Sequence, residues 1–140
     1  MIDTLESLEQ KRTELCEQLR TLGDFRPGTI SVNLRKCGKK NCACAQPGHK
    51  GHGPQYLWNT TSGGNSRAQN LRLGPELEKA QKELENHKIF VRVCKEIVEI
   101  NERICRLRPV REIRDEKELE ALKKKLQKRF SGKSAGRSSG

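Results

Sequence analysis

The chain has 140 residues, enough for one compact domain or for a small domain carried by long helices. Only 32% of the residues are hydrophobic and 4% are aromatic, which excludes a large apolar core and favours helix pairing or a bound metal as the source of stability. The formal net charge of +11 favours a polyanionic partner, with nucleic acid first and an anionic membrane surface second.

No apolar run approaches the roughly 18 residues that a membrane span requires, and the N-terminus has no basic-then-apolar secretory pattern. We therefore expect a soluble cytoplasmic protein without a membrane partner. The charge is also uneven: residues 25–73 contain eight basic side chains and no acidic one, and residues 106–140 contain twelve basic and five acidic ones. The positive field thus belongs to the central module and to the C-terminal third.

Residues 1–23 predict an N-terminal coiled-coil helix. Leucines recur at alternating intervals of three and four residues, with Arg12 in the remaining position of the seam. These leucines are Leu5, Leu8, Leu15, Leu19 and Leu22. Asp3 or Thr4 can cap the start of the helix, and Gly23 is a natural stop. A single narrow stripe cannot be buried alone, so the helix needs a partner.

Residues 28–73 predict a small antiparallel sheet. Apolar and polar residues alternate from Ile30 to Leu34, which is the period of a half-buried strand. Gln55–Thr61 is rich in aromatic and β-branched residues and predicts a second strand. The tetrapeptide Ser62–Asn65, with two central glycines, predicts a hairpin turn into a third strand over Ser66–Leu73. A cysteine-rich loop connects the first two strands.

Residues 74–108 predict a long helix that pairs with the first one. Pro75 fits its first turn and Pro109 follows its end. Its apolar face is broad enough for two partners. Residues 110–130 predict a basic C-terminal helix, and residues 131–140 predict a disordered tail. The fold class is therefore α+β: a small antiparallel β-sheet, pinned through its connecting loop, packed on a long antiparallel helix pair, plus a C-terminal helix.

The connecting loop has the composition of a metal site. Cys37, Cys42 and Cys44 lie within eight residues and are followed by His49 and His52. Thiolate and imidazole ligands suit Zn²⁺, which takes four of them in a tetrahedron. His52 precedes the constrained Gly-Pro pair before the second strand, so we favour it over His49 as the fourth ligand. Free thiols beside solvated histidines remain the alternative.

The metal is expected to be structural. A catalytic zinc normally keeps an open position and a nearby carboxylate as general base, and no carboxylate occurs from Phe25 to Leu73. We therefore predict no catalytic residue and no enzyme activity. The isolated helical cysteines Cys16, Cys94 and Cys105 are expected to be small buried apolar residues.

Seven basic residues of the central module are candidate phosphate contacts. They are Arg35, Lys36, Lys39, Lys40, Lys50, Arg67 and Arg72. One or two of them can be explained as charge compensation for the thiolates, but seven exceed that need. Tyr56 and Trp58 alternate on one face of a strand, where they either stack on unpaired bases or fill the core of the sheet.

These motifs resemble a family of small uncharacterised prokaryotic proteins associated with transposons, phages and plasmids. The family combines R-x-C-G-K-x-x-C-x-C with H-G-P-Y-Y, a second strand, a hairpin and a long helix. The chain matches it at Arg35, Cys37, Gly38, Lys39, Cys42, Cys44, His52, Gly53, Pro54 and Tyr56. It departs at Gln55, where a tyrosine often stands. The resemblance covers residues 28–107 and implies zinc binding in a mobile-DNA setting, without a mechanism.

We therefore expect a non-enzymatic, zinc-stabilised nucleic-acid-binding protein that binds DNA or RNA and assists a mobile element. The main alternative is a protein-interaction adaptor whose helical hairpin binds a larger partner of the same element, such as a transposase or nuclease, or forms a homodimer. A zinc enzyme or a redox-sensing thiol protein is a third class.

Overall fold

The computed structural model describes residues 3–132 and contains three α-helices and one three-stranded sheet. The helices are α1 (Leu5–Thr21), α2 (Pro75–Leu107) and α3 (Glu116–Ser131), and the strands are β1 (Thr29–Arg35), β2 (His52–Ser62) and β3 (Asn65–Leu71). The predicted α+β class is confirmed. The chain divides into two compact units, one up to Cys105 and the other from Arg106 onward.

Helix α1 begins with a reciprocal cap. The Thr4 hydroxyl oxygen accepts from the Ser7 amide at 3.1 Å, and the Ser7 hydroxyl oxygen accepts from the Thr4 amide at 3.0 Å. Two backbone donors that a helix start leaves unpaired are thereby satisfied. The helix ends at Thr21, and Leu22 is already extended. Gly23 therefore lies directly after the C-cap residue, at the predicted end of the helix.

The leucine seam of α1 packs on the second half of α2. The buried cluster consists of Leu8, Leu15, Val93, Ile100 and Ile104, with Leu5, Leu19, Ile89 and Ile97 packed against it. Leu8 and Val93 are almost completely shielded, at 1% and 0% exposure. Side chains three and four residues apart supply the contacts from both helices, as expected for an amphipathic pair. This core is the larger source of apolar burial in the first unit.

Polar contacts show that the two helices run antiparallel. Near the start of α1, Asp3 forms an ion pair with Arg103, close to the end of α2. Farther along, the Arg12 guanidinium donates to the Asn101 side-chain oxygen at 2.8 Å. After α1, the Asn86 amide nitrogen donates to a backbone carbonyl, that of Asp24, at 2.8 Å. The partners in α2 move backward as the chain advances, so the pair is antiparallel.

The three strands form an antiparallel sheet in the order β1-β2-β3. Ile30 pairs with Trp58 and Val32 with Tyr56, so these four side chains share one face of the sheet. That face lies against the first half of α2, where Ala80 and Leu84 are buried. Hereafter it is called the helix-side face, and the opposite one the outer face.

The turn from α1 to the sheet joins the helix pair to the strands. The Arg26 guanidinium lies 4.4 Å from the centre of the Trp58 ring and forms an ion pair with Glu83 of α2 at 2.6 Å. Lys79 pairs with the same carboxylate at 2.5 Å. Lys79, and next Arg26, hold the pKa of Glu83 below its usual value, against the opposing effect of burial. A buried carboxylate between two cations is thus kept ionised.

Helix α3 begins later than expected. The sequence predicted a helix from residue 110, but the helix starts at Glu116, where the Asp115 carboxylate accepts from the Lys117 amide at 3.0 Å. This cap, with Pro109 upstream, sets the start of the helix. No residue of α3 is buried. The predicted tail, residues 131–140, falls outside the described residues except for Ser131 and Gly132.

The isolated cysteines are not the buried core residues that we expected. Cys16 and Cys105 are exposed and Cys94 is half-buried, because the seam positions are filled by leucine, isoleucine and valine. None of the helices within residues 3–132 has a stretch long and apolar enough to span a bilayer.

Candidate metal centre and basic loop

An irregularity in the β1–β2 pairing positions His52. Asn33 pairs with Gln55, but the next pair joins Arg35 to His52, so β2 contains one extra residue at this point. Such a bulge reverses the alternation of side chains and re-aims one of them. His52 is thereby opposite Arg35 and beside the loop that carries the cysteines.

Two glycines allow the close approach of β2 to β1 at this end. Gly51 has φ +105°, and a Cβ there would lie 2.7 Å from the carbonyl carbon of Arg35. Gly53 has φ +121°, and a Cβ there would lie 2.9 Å from the carbonyl oxygen of Asn33. Both values of φ are unfavourable for other residues. The glycines on either side of His52 therefore belong to the architecture of the site.

A short turn arranges the cysteines. A single 3₁₀ turn spans Ala43–Ala45, and the Ala45 amide donates to the Cys42 carbonyl at 3.0 Å. The turn places Cys44 inward, with 1% exposure, while the Cys37 amide donates to its sulfur at 3.3 Å. This turn lets two cysteines that are two residues apart face one point.

The side chains of Cys37, Cys42, Cys44 and His52 converge. Their ligand atoms all lie within 4.8 Å of one another. The sulfurs of Cys37 and Cys44 are 3.5 Å apart, and the Cys42 sulfur is 3.1 Å from His52 Nε2. Ligands of a tetrahedral zinc are separated by roughly 3.5–3.8 Å. The four donors thus fit the shell of one metal ion after small adjustments.

His49 has another role in the loop. Its Nδ1 atom accepts a hydrogen bond from the Gly51 amide at 2.9 Å, and it is not part of the converging group. Over residues 3–132, no second group of three or more cysteine, histidine or acidic side chains has metal-binding geometry. The choice of His52 over His49 therefore agrees with the placement of the two rings.

The surroundings shift the pKa values of Cys37 and Cys44 in opposite directions. The Lys39 amide, then the His52 ring and the Cys44 thiol, lower the pKa of Cys37 to about 6. The Cys37 amide lowers the pKa of Cys44, but burial and the sulfurs of Cys37 and Cys42 outweigh it, so that the pKa of Cys44 is raised overall. Thiolates are the metal-binding form, and clustered thiolates need a cation to coexist. The donor set can therefore hold a metal ion, with three sulfurs and one imidazole nitrogen.

The seven predicted phosphate contacts are all exposed, and no salt bridge involves any of them in the part of the chain that the structure describes. Five belong to the metal loop and its strand, namely Arg35, Lys36, Lys39, Lys40 and Lys50. Arg72 follows β3 at the same end of the sheet, where Tyr56 pairs with Leu71. The structure does not bring Arg67 to this group. Arg67 pairs with Thr60, eight residues along β2 from His52, or about 27 Å away.

Tyr56 and Trp58 lie on the helix-side face of the sheet. Trp58 Nε1 donates to the Pro27 carbonyl at 2.8 Å, and Arg26 covers the ring. Both rings are half-buried, which agrees with the interpretation that they pack on the sheet. The sequence did not single out Arg26, although its position next to Pro27 at the start of the carboxylate-free segment was the available signal.

Comparison with known protein families gives a match over the first part of the chain. The model of a family described as a domain of unknown function, DUF6788, matches residues 5–82, more than half of the chain. It covers α1, the metal loop, the sheet and the first turns of α2, and so begins before the segment on which the resemblance was based. Curated proteins and solved structures gave no match. The chain therefore belongs to the family described as a domain of unknown function, DUF6788.

Proposed function

We propose that the protein is a non-enzymatic nucleic-acid-binding protein in which Zn²⁺ fastens a cationic loop to the sheet. One observation carries the proposal: five exposed cations surround a group of four metal-binding side chains, and no carboxylate occurs from Phe25 to Leu73. A polyanion can approach this surface without meeting a like charge.

Zinc is the proposed metal because its preferences match the donor set. Three sulfurs and one imidazole nitrogen, closely spaced, are typical of tetrahedral structural zinc. With all four positions filled by protein, the bound metal would act as a fastener. In this role Cys37, Cys42, Cys44 and His52 hold the ion, and the lysines between them are displayed outward.

The metal is tested on full-length protein purified without added zinc. We expect about one equivalent of tightly bound zinc per chain by elemental analysis. Less than about half an equivalent of any metal would contradict the site. A different metal at full occupancy would contradict zinc but keep the site.

Nucleic-acid binding is tested by a salt series with short DNA and RNA. Each phosphate contact contributes about −0.9 to the slope of log K against log salt, so five contacts predict a slope of roughly −4 to −5. The double variant Lys39→Glu/Lys40→Glu should abolish most of the binding. The matched control is Lys88→Glu/Lys95→Glu on α2, two exposed lysines with the same charge change. No binding at low salt, or equal losses in both variants, would refute the proposal.

A protein-interaction adaptor is the second candidate, favoured by an observation on α2. Val91 and Val98 are 51% and 63% exposed, and they share one side of the helix with Cys105. Exposed aliphatic groups in a row suit a partner helix, such as that of a second copy. If the full chain is dimeric in light scattering and Val98→Glu makes it monomeric, the adaptor candidate gains support; a monomeric wild-type chain counts against a homodimer.

A place in a transposon, phage or plasmid belongs to the same proposal. It is supported by the resemblance of the cysteine-loop motif and by the polyanion-compatible surface. This part of the proposal gains support if the protein binds the terminal sequences of such an element more tightly than unrelated DNA.

A further inference from the structure

The outer face of the sheet is polar but uncharged. By the strand pairing, its members carry short hydroxyl or amide side chains, interrupted by one leucine and one alanine. They are Thr29, Ser31 and Asn33 on β1, Gln55, Leu57, Asn59 and Thr61 on β2, and Ser66, Ala68 and Asn70 on β3. On β3 these residues are exposed. Hydroxyl and amide groups of this kind commonly contact phosphate and sugar.

Charge distinguishes the outer face from the helix-side face. No acidic residue stands on any of the three strands, whereas α2, which packs on the helix-side face, begins with Glu76 and Glu78. The Glu76 carboxylate accepts from the Arg72 amide at 2.5 Å, so acid lies close to that face. A polyanion is therefore repelled less from the outer face.

The outer face leads directly to the basic loop. Along β1 it continues from Ser31 and Asn33 to Arg35, which is opposite the ligand His52. From Thr61 to His52 the face extends over ten residues of β2, and the nine steps between them span about 30 Å. At a rise of 3.4 Å per base pair, this length corresponds to roughly nine base pairs.

The outer face also lacks the means to bind unpaired bases. Recognition of single strands depends on aromatic side chains on which bases stack, and each is worth about 1–3 kcal/mol. Both aromatic residues of the sheet, Tyr56 and Trp58, lie on the helix-side face. What the outer face offers is hydrogen bonding over a length of backbone, with cations at one end.

We infer that the outer face of the sheet is a docking surface for a nucleic-acid duplex, which lies along the strands with its phosphates against the basic loop. This inference rests on the proposed nucleic-acid binding and adds the form of the ligand and the face that it covers. It also removes Arg67 from the predicted phosphate contacts, because Arg67 lies on the helix-side face opposite Thr60.

The form of the ligand is tested with the full-length, metal-loaded protein and oligonucleotides of 6 to 16 units, each as single strand, DNA duplex and RNA duplex. We expect duplexes to bind at least about tenfold more tightly than single strands of the same length. We also expect duplex affinity to rise steeply up to roughly nine base pairs and slowly beyond. Equal affinity for single strands would overturn the inference.

The face is tested by two neighbouring substitutions on β3. Asn70→Asp adds a negative charge on the outer face, and Gln69→Glu adds one on the helix-side face. Both residues are exposed, so circular dichroism and metal content should be unchanged in Asn70→Asp. We expect Asn70→Asp to weaken duplex binding about tenfold and Gln69→Glu to weaken it less than about threefold. Ser66→Glu, also on the outer face, keeps the test decisive if Asn70→Asp is unstable.

The outcomes separate this inference from the proposed function. If duplex binding persists but is insensitive to Asn70→Asp and Ser66→Glu, the outer face is not the docking surface, while nucleic-acid binding by the basic loop stands. If the wild-type protein binds neither duplex nor single strand at low salt, both fail. If Gln69→Glu weakens duplex binding as much as Asn70→Asp, the loss is not specific to the outer face and the inference is overturned.

Discussion

The helix pair and the metal loop stabilise themselves by different means. The helix pair buries five aliphatic side chains in one cluster, with four more packed on it. From Lys36 to Gly51 the only buried residue is Cys44, which is itself a candidate metal ligand. A loop without apolar contacts depends on its ligands, since burial contributes almost nothing there. The two regions should therefore lose their structure independently.

Metal removal is the strongest way to test this separation, and we expect the largest effect from it. Cys42→Ser, or a strong chelator on the wild type, should remove the metal and abolish nucleic-acid binding. The helical signal in circular dichroism should change little, because the core of α1 and α2 contains no ligand. Elemental analysis, dichroism and a binding isotherm on one sample provide the measurement. Loss of the helical signal together with the metal would contradict the separation.

The converse test removes apolar contacts from the helix pair. Leu8→Ala, at a position that is 1% exposed, should lower the free energy of unfolding by about 2–5 kcal/mol. Chemical denaturation followed by helical dichroism measures it, and the native variant should keep its full metal content. Val98→Ala is the control, at 63% exposure, and should change stability by less than about 0.5 kcal/mol. Equal losses would mean that the burial of Leu8 is not what stabilises the pair.

Two glycines of the loop allow a finer comparison. Gly48 and Gly51 both have positive φ, but only at Gly51 would a Cβ meet the backbone, that of Arg35. Gly48→Ala should cost about 1–2 kcal/mol of loop stability, and Gly51→Ala visibly more. Competition with a zinc indicator reports the loss as weaker metal affinity. The order would be contradicted if Gly48→Ala were the more damaging variant.

The smallest expected effect concerns the contact between the helix pair and the sheet. The pKa of Glu83 is lowered by Lys79 and by Arg26, so its contribution to stability is present above the ordinary glutamate pKa and is lost as the pH falls through the lowered value. Between pH 5 and pH 3, wild-type protein should therefore lose melting temperature more steeply than Glu83→Gln. Parallel pH profiles of melting for the two proteins measure the difference. Identical slopes would show that the carboxylate does not stabilise this contact.

The hydrophobic period and the residue spacing of the sequence were sufficient to predict most of the fold. The alternation from Ile30 to Leu34 predicted β1, and the leucine seam predicted the pairing of α1. These patterns can be recognised within one element, because apolar residues recur on the face of a helix or strand that is buried. The cysteine spacing predicted three of the converging side chains, since residues so close in sequence must also be close in space.

The rest depended on contacts between distant residues. The bulge that re-aims His52 arises where Gly51 meets Arg35, and neither residue marks it in the sequence. Arg26 contacts Trp58 and Glu83 only because the turn after α1, strand β2 and helix α2 pack together. We predicted that Cys16 and Cys105 are buried because cysteine is usually a buried residue type. They are exposed, because leucine, isoleucine and valine occupy the buried positions between the helices.

The cysteines outside the loop have a practical consequence. Cys16 and Cys105 are exposed on helices whose core holds no ligand. A thiol reagent should modify these two with or without a bound metal, whereas the three loop sulfurs should react only when no metal holds them. The protein thus carries its own internal standard: the two helical thiols count molecules, and the additional thiols that react count loops without metal.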